Sequence, residues 1–190
     1  MHENVMDQPR AAGLLFAREP HPAPTPADKR AALLRDPGFG RVFTDHMAAI
    51  RYAEGKGWHD AKITAREPLT MDPAAAVLHY SQQIFEGLKA YRTAKGGAVM
   101  FRPLENARRF QRSAERLAMP KLPKAAFVEA CDQLVKIDRD WIPEGDGSLY
   151  LRPFMYASEV FLGVKPSSEY LFLVIASPVG SYFKSKDTSI

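Results

Sequence analysis

Three short stretches carry side chains whose types and spacing could do chemistry. In "SLYLRPFMY", residues two apart along a strand share a face. Tyr150, Arg152, Phe154 and Tyr156 therefore point one way, and Leu149, Leu151 and Pro153 the other. An arginine among aromatics on one face of a buried strand needs an acidic partner, because burying an unpaired charge is costly. That partner is either a carboxylate of the protein or one carried by a bound molecule, and the Tyr150 phenol could orient either. In "MFRPLENARRF", Arg102 ends a strand and Pro103 begins a helix. A guanidinium at that junction stands beside free backbone N–H groups and the positive end of the helix dipole. A phosphate or carboxylate bound there gains two-pronged, charge-assisted contacts; the alternative is an ordinary surface arginine. In "HYSQQIFEGLKAYR", Tyr80 at the end of a short helix and Phe85 at the start of a strand could wall an apolar pocket across a tight Glu86-Gly87 turn, or simply pack in a core.

The elements that must position these residues follow from the surrounding pattern. Residues 1–38 read as an arm: Pro20, Pro22, Pro24 and Pro26 keep it extended, and a short helix starts at Thr25-Pro26-Ala27-Asp28. A hairpin follows, with strands Met47–Tyr52 and Ala61–Arg66 around Gly55 and Gly57. "DPAAAVLHYSQ" predicts a short helix capped by Asp72. "FEGLKAYRT" and "AVMFR" predict two strands joined at Lys95-Gly96-Gly97. From Pro103, the apolar stripe Leu104, Ala107, Phe110, Ala114 and Leu117 marks a helix with arginines on its other faces. A second helix spans Lys124 to about Asp138, and the continuously apolar "EYLFLVIASPVG" reads as a strand covered on both faces. The expected fold class is α+β, an antiparallel sheet flanked by two main helices.

Composition bounds the function. With 190 residues, 46% hydrophobic and 25% charged, the chain can build a real core, and no apolar stretch is long enough to span a membrane. The net charge of +4 is spread out, which argues against a nucleic-acid footprint and fits a mild pull on small anions. Cys131 is the one cysteine, so an internal disulfide is impossible and a cytoplasmic location is expected; it falls on the apolar side of a helix and reads as a buried thiol, not a nucleophile. The five histidines are scattered, and no metal-ligand cluster is expected.

From about Phe16 to Phe183, the motifs "FGRVFTDHM", "LHYSQQIFEGLKAYR", "FRPLENARRFQRSAERLAMP" and "SLYLRPF…LGVKPSSEYLFLVIASPVGSYF" resemble the branched-chain amino acid aminotransferases, pyridoxal-phosphate enzymes of fold type IV. The resemblance implies the small N-terminal domain of the D-amino acid aminotransferase-like fold over residues 39–178, with 179–190 as the linker to a second domain. It implies amino transfer between leucine, isoleucine or valine and 2-oxoglutarate, with pyridoxal 5'-phosphate as cofactor, in a homodimer. Arg102 matches the arginine that grips the cofactor phosphate. Tyr150 and Arg152 match the pair that receives the acidic side chain of glutamate or 2-oxoglutarate. Phe39 and Phe85 match aromatic walls, Tyr80 a tyrosine reaching into the neighbouring subunit's pocket, and Leu162 and Val164 a loop closing over the partner's site. The family's Schiff-base lysine lies beyond Ile190; Lys184 and Lys186 do not match it, so no catalytic residue is assigned and the chain alone is expected to be inactive. The alternatives are a non-catalytic dimerisation or folding module, or another fold-type IV enzyme such as a D-amino acid aminotransferase or aminodeoxychorismate lyase.

Overall fold

The computed structural model describes residues 14–180. The first part of the expected arm and residues 181–190, with Lys184 and Lys186 of the expected linker, lie outside the described residues. The chain runs β1 (Ala17–Arg18), α1 (Ala27–Leu34), β2 (His46–Ala53), β3 (Gly57–Ala65), α2 (Ala76–Tyr80), β4 (Gln83–Phe85), β5 (Leu88–Arg92), β6 (Ala98–Met100), α3 (Pro103–Arg116), α4 (Lys124–Ile137), β7 (Ser148–Ala157) and β8 (Glu169–Val179). One sheet holds all eight strands in the order β1-β3-β2-β8-β7-β5-β6, with β4 paired to β7 beside β5. Every pairing is antiparallel except β1 with β3, a two-residue parallel contact that the sequence pattern did not predict.

The two faces of β7 and β8 explain the layering. On one face Leu149, Leu151 and Met155 of β7 and Tyr170, Phe172, Val174 and Ala176 of β8 join a core filled by Phe110 of α3 and Phe127 and Leu134 of α4. Phe110, Phe127 and Phe172 meet there with ring centroids 5.4, 5.5 and 6.0 Å apart, in the tilted and edge-on arrangements that aromatic quadrupoles favour. Tyr156, Leu171 and Leu173 form a smaller cluster on the opposite face with Met47 and Ala49 of β2. β8 is thus apolar throughout because both of its faces are covered, as its sequence suggested.

Several boundaries differ from the sequence reading for local reasons. The α3 stripe keeps Ala107, Phe110 and Ala114 buried, but Leu117 is exposed, because the helix stops there and Ala118 turns left-handed at φ 51°. Asp72 does not cap α2 itself; its carboxylate accepts the Ala74 N–H at 2.8 Å, closing a turn before the helix begins at Ala76. The expected single strand over "FEGLKAYRT" is two strands, and Phe85 ends the first rather than starting the second. The break lies opposite Pro153, which offers a carbonyl to Glu86 N–H at 2.8 Å but has no N–H to return, so the ladder is interrupted there.

The arm is fastened by polar groups. Asp45 accepts from Thr25 N–H and Oγ1 (3.1 and 2.6 Å) and from the Trp141 indole at 2.9 Å; burial pushes its carboxyl up, but these bonds win and hold it below the usual carboxylate range. His46 donates from Nδ1 to buried Asp138 at 2.6 Å and accepts the His21 backbone N–H at Nε2, which fixes the neutral tautomer. Cys131 is fully buried in α4, where burial, with Asp132 adding, pushes its thiol far up and leaves it inert as a nucleophile.

Candidate functional site

The face of the sheet away from α3 and α4 gathers four of the residues singled out from the sequence. Tyr150 and Arg152 alternate with core residues along β7 and point to this face. The Arg152 guanidinium donates from Nε (3.1 Å) and Nη2 (3.0 Å) to the Tyr150 hydroxyl. Its carbon lies 4.5 Å from the Phe85 ring centroid and 5.4 Å from that of Tyr150, the placement of a cation over aromatic faces. Phe85 reaches Arg152 because β4 sets it in register with Phe154. Phe39 packs on Tyr150 from a loop, ring centroids 5.4 Å apart, with left-handed Gly38 (φ 62°) and Gly40 (φ 67°) on either side turning the chain so that Phe39 projects.

Arg152 is half-buried, yet no carboxylate of the described residues lies within ion-pairing distance of it. Its charge is met by a phenol and two ring faces, and the remaining guanidinium N–H groups are unused among the described residues. Of the two partners the strand pattern allowed, the protein carboxylate is not there. The arrangement suits an acceptor from outside: a carboxylate approaching this face meets a two-pronged donor in an aromatic frame. Phe39 and Phe85 are 60% and 64% exposed, so the same frame offers bare apolar surface to an uncharged side chain. Lys89, in register with Tyr150, adds a basic residue on the same face of β5; the sequence reading passed over it, although its alternation with Ala90 was visible.

The other predicted residues lie elsewhere. Arg102 is the residue before α3, with φ 46° and ψ 49°. A left-handed arginine is strained by about 1–2 kcal/mol, and such strain gathers where the surroundings dictate the backbone. Its guanidinium is 66% exposed, loosely paired with Glu105 at 3.7 Å, and no hydrogen bond among the described residues joins it to the Tyr150–Arg152 pair. Arg102 sits at a helix start with Pro103 in the first turn. Pyridoxal phosphate fits this end in part: the exposed Arg102 guanidinium is a phosphate donor, but Pro103 has no N–H and the Glu105 N–H is taken by the Arg102 carbonyl at 2.9 Å.

Tyr80 closes α2 and donates to the Leu162 carbonyl at 2.6 Å, and its ring lies 6.3 Å from Phe161. Segment 158–168 is laced to α2 by Ala76 N–H to Glu159 O and Phe161 N–H to Ala74 O. From it Leu162 (65%) and Val164 (93%) project into solvent. Glu159 closes this segment by accepting from Lys165 (2.8 and 3.1 Å) and Ser168 N–H (2.5 Å). Burial works to raise its carboxyl, but the Lys165 and Ser168 bonds outweigh it and hold it down at about 2. A depressed carboxyl stabilises above its unfolded value, near 4.5, and that contribution is lost as pH falls towards 2. Amide exchange at Ser168 and Phe161 is therefore expected to lose protection between about pH 4.5 and 2, before the β7–β8 ladder does. Protection of Ser168 persisting at pH 2 would contradict this.

For Glu86 sequence reasoning found the tight turn but not its partners. Glu86, 4% exposed at the β4–β5 break, accepts from Arg109 Nε and Nη2 (2.5 and 2.7 Å), Asn106 Nδ2 (2.9 Å) and Gly87 N–H (3.3 Å). A carboxylate beside an apolar strand end was the available signal, but its partners lie 20 and 23 residues away on α3.

Comparison with known proteins decides what this scaffold is. No protein-family profile matches the chain. A probable branched-chain-amino-acid aminotransferase of Streptomyces coelicolor is 57% identical over 167 residues, 87% of this chain and 46% of that protein. The branched-chain-amino-acid aminotransferase of Mycobacterium tuberculosis is 53% identical over 158 residues, 82% of this chain and 43% of its own length. The chain belongs to the branched-chain amino acid aminotransferase family. Among solved structures, the Escherichia coli branched-chain amino acid aminotransferase superposes with a TM-score of 0.54 at 25% identity, over 73% of this chain and 42% of that one. The T.th. branched-chain amino acid aminotransferase, complexed with N-(5'-phosphopyridoxyl)-L-glutamate, does so at 0.51 and 29%, over 68% and 40%. The chain spans less than half the length of these branched-chain aminotransferases and corresponds to their N-terminal portion. The mixed α+β architecture expected from the sequence is the one observed.

Proposed function

We propose that this chain is the substrate-facing portion of a branched-chain amino acid aminotransferase, which moves an amino group between leucine, isoleucine or valine and 2-oxoglutarate. The observation that carries this reading is Arg152, held by Tyr150 and lacking a carboxylate among the described residues, in a frame of exposed Phe39 and Phe85. Such a pocket must take an aliphatic side chain in one half-reaction and a carboxylate in the other. Aromatic walls serve the first and the phenol–guanidinium pair the second. Tyr80, Leu162 and Val164 form an edge that fits a neighbouring subunit's pocket in a homodimer. Arg102 and the first turn of α3 would hold the phosphate of pyridoxal 5'-phosphate. When bound, that cofactor supplies the electron sink on which amino transfer depends. The lysine that carries it is assigned to a second domain, with residues 39–178 as the small domain and 179–190 as the connection. A cytoplasmic location accords with the single buried thiol; among the described residues no helix is long and apolar enough to cross a membrane.

The test is amino transfer itself. The 190-residue polypeptide, given pyridoxal phosphate, leucine and 2-oxoglutarate, is expected to form no glutamate beyond the protein-free rate. The protein extended to the length of its relatives is expected to form it catalytically. Sustained turnover by the 190 residues alone, or transfer by the long form only to substrates without a second carboxylate, would overturn the proposal.

A further inference from the structure

The side chain of Gln82 fastens α3 and β8 to the segment that joins β7 to β8. Its Nε2 donates to the Leu117 carbonyl at 2.8 Å, where α3 ends. Its Oε1 accepts the Tyr170 hydroxyl at 3.2 Å and the Ser167 N–H at 3.4 Å. Its backbone carbonyl accepts the Ala157 N–H at 3.0 Å. These partners settle which end of the amide is which, since a carbonyl only accepts and a backbone N–H only donates. The Leu117 carbonyl is also one of the terminal acceptors that a helix cannot satisfy by itself.

The partners bracket segment 158–168. Ala157 ends β7 just before it, and Ser167 stands at its far end, before β8 begins at Glu169. Gln82 therefore grips both roots of the segment. Tyr80 grips its middle, through the Leu162 carbonyl at 2.6 Å. Between the two, Ser81 is left-handed at φ 53° and ψ 27°, a conformation costly for a residue with a Cβ. It ends α2 with its N–H on the Val77 carbonyl and turns the chain so that the residues on either side meet one segment. From that segment Leu162 and Val164 project, 65% and 93% exposed. Exposed apolar side chains on a loop hold a defined position only where the loop's roots are fixed. The Tyr80 bond ties the segment to α2, a helix of 5 residues. Gln82 ties it to the end of α3, a helix of 14 residues seated in the core by Phe110.

We propose that Gln82 is a positioning residue: it clamps the roots of segment 158–168 to α3 and β8, and so sets where Leu162 and Val164 stand against an aliphatic side chain held in the neighbouring subunit's pocket. The role at the neighbour's pocket rests on the homodimeric aminotransferase reading; the clamp does not. Two measurements separate them. The first follows the 190-residue protein by NMR, through amide exchange and the methyl signals. Gln82→Met keeps an unbranched side chain and removes its donor and acceptor. It is expected to speed exchange at Ser167 about tenfold and to shift or broaden the Leu162 and Val164 methyls, while Ala157, bonded to a backbone carbonyl, exchanges as in wild type. Gln82→Glu keeps the acceptor but sets a carboxylate against the Leu117 carbonyl, and should move the same signals less. Should Gln82→Met fail to fold, Gln82→Glu decides. Leu162 and Val164 methyls unmoved in the variants that fold overturn the proposal.

The second measurement uses the protein extended to its relatives' length, as hybrid dimers of two differently tagged chains. One chain carries Arg152→Met, so that only the other chain's pocket accepts 2-oxoglutarate at low concentration. With Gln82→Met on the Arg152→Met chain, the working pocket receives the altered segment, and its KM for leucine is expected to rise about tenfold with kcat within about threefold. With Gln82→Met on the other chain, the working pocket receives an intact segment, and both constants should stay within about threefold of the hybrid carrying Arg152→Met alone. An equal loss in the two arrangements, or a loss in the second only, overturns the role across the interface. A long wild-type protein that is monomeric or transfers no amino group would refute the functional reading and leave the NMR result to judge the clamp.

Discussion

Replacing Arg152 with methionine in the full-length enzyme is expected to raise the KM for 2-oxoglutarate and for glutamate about 100-fold while leaving that for leucine within about threefold. Methionine fills a similar volume and stays unbranched, so it keeps the contact with Phe85 but loses every donor. Truncating one member of a hydrogen-bonded charge pair costs about 2–5 kcal/mol, and about 3 kcal/mol corresponds to roughly two decades in binding. Leucine makes no use of the guanidinium and should gain slightly from an uncharged floor. Arg152→Lys is expected to recover little, since an ammonium cannot span both carboxylate oxygens while sharing the Tyr150 hydroxyl. Tyr150→Phe should fall between, because it frees the guanidinium and removes only its orientation. Steady-state kinetics with the two substrate classes measured side by side checks all three. A uniform loss for leucine and 2-oxoglutarate alike in Arg152→Met would place the residue in the scaffold and take away the observation on which the functional reading stands.

What could be read from the sequence was what short-range pattern dictates. Alternation along β7 put Tyr150 and Arg152 on one face with no knowledge of the rest of the molecule, and the 3.6-residue stripe located the buried face of α3. Arg102 was placed at its strand–helix junction because Pro103 marks a first turn. Pattern failed where contact partners are distant. Whether Arg152 meets an acid of its own protein depends on every chain segment crossing that face. The Glu86 knot is set by which side of α3 docks on the β4–β5 break, and the Tyr80–Leu162 bond spans 82 residues. The parallel β1–β3 contact is two residues long, too short for any periodicity. Leu117 kept its place in the apolar stripe but not its burial, because a helix end is decided by one backbone angle at Ala118.

Phe110→Ala is expected to destabilise the chain by about 3–5 kcal/mol, a large share of the total for a domain of this size. Phe110 is 1% exposed and sits between Phe127 of α4 and Phe172 of β8, so its removal opens a cavity at the junction of all three elements. Equilibrium unfolding in urea, followed by the fluorescence of Trp58 and Trp141, checks this, and a loss under about 1 kcal/mol would show that the three rings are not the keystone of the helix layer. Phe110→Leu, closer in volume, should cost well under half as much. The consequence for function follows from the order of the chain. Phe110 is the residue after Arg109 and one turn beyond Asn106, so the apolar anchor and the polar grip on Glu86 lie on adjoining faces of one helical turn. Burial of the ring supplies the energy that docks α3 but is indifferent to small rotations, since apolar attraction is non-directional. The hydrogen bonds to Glu86 add little net energy but are directional, so they fix the rotation. A helix docked by Phe110 and indexed by Glu86 fixes where Arg102 and Arg109 stand. Loss of the ring should therefore weaken the fold without altering substrate preference in the fraction that remains folded.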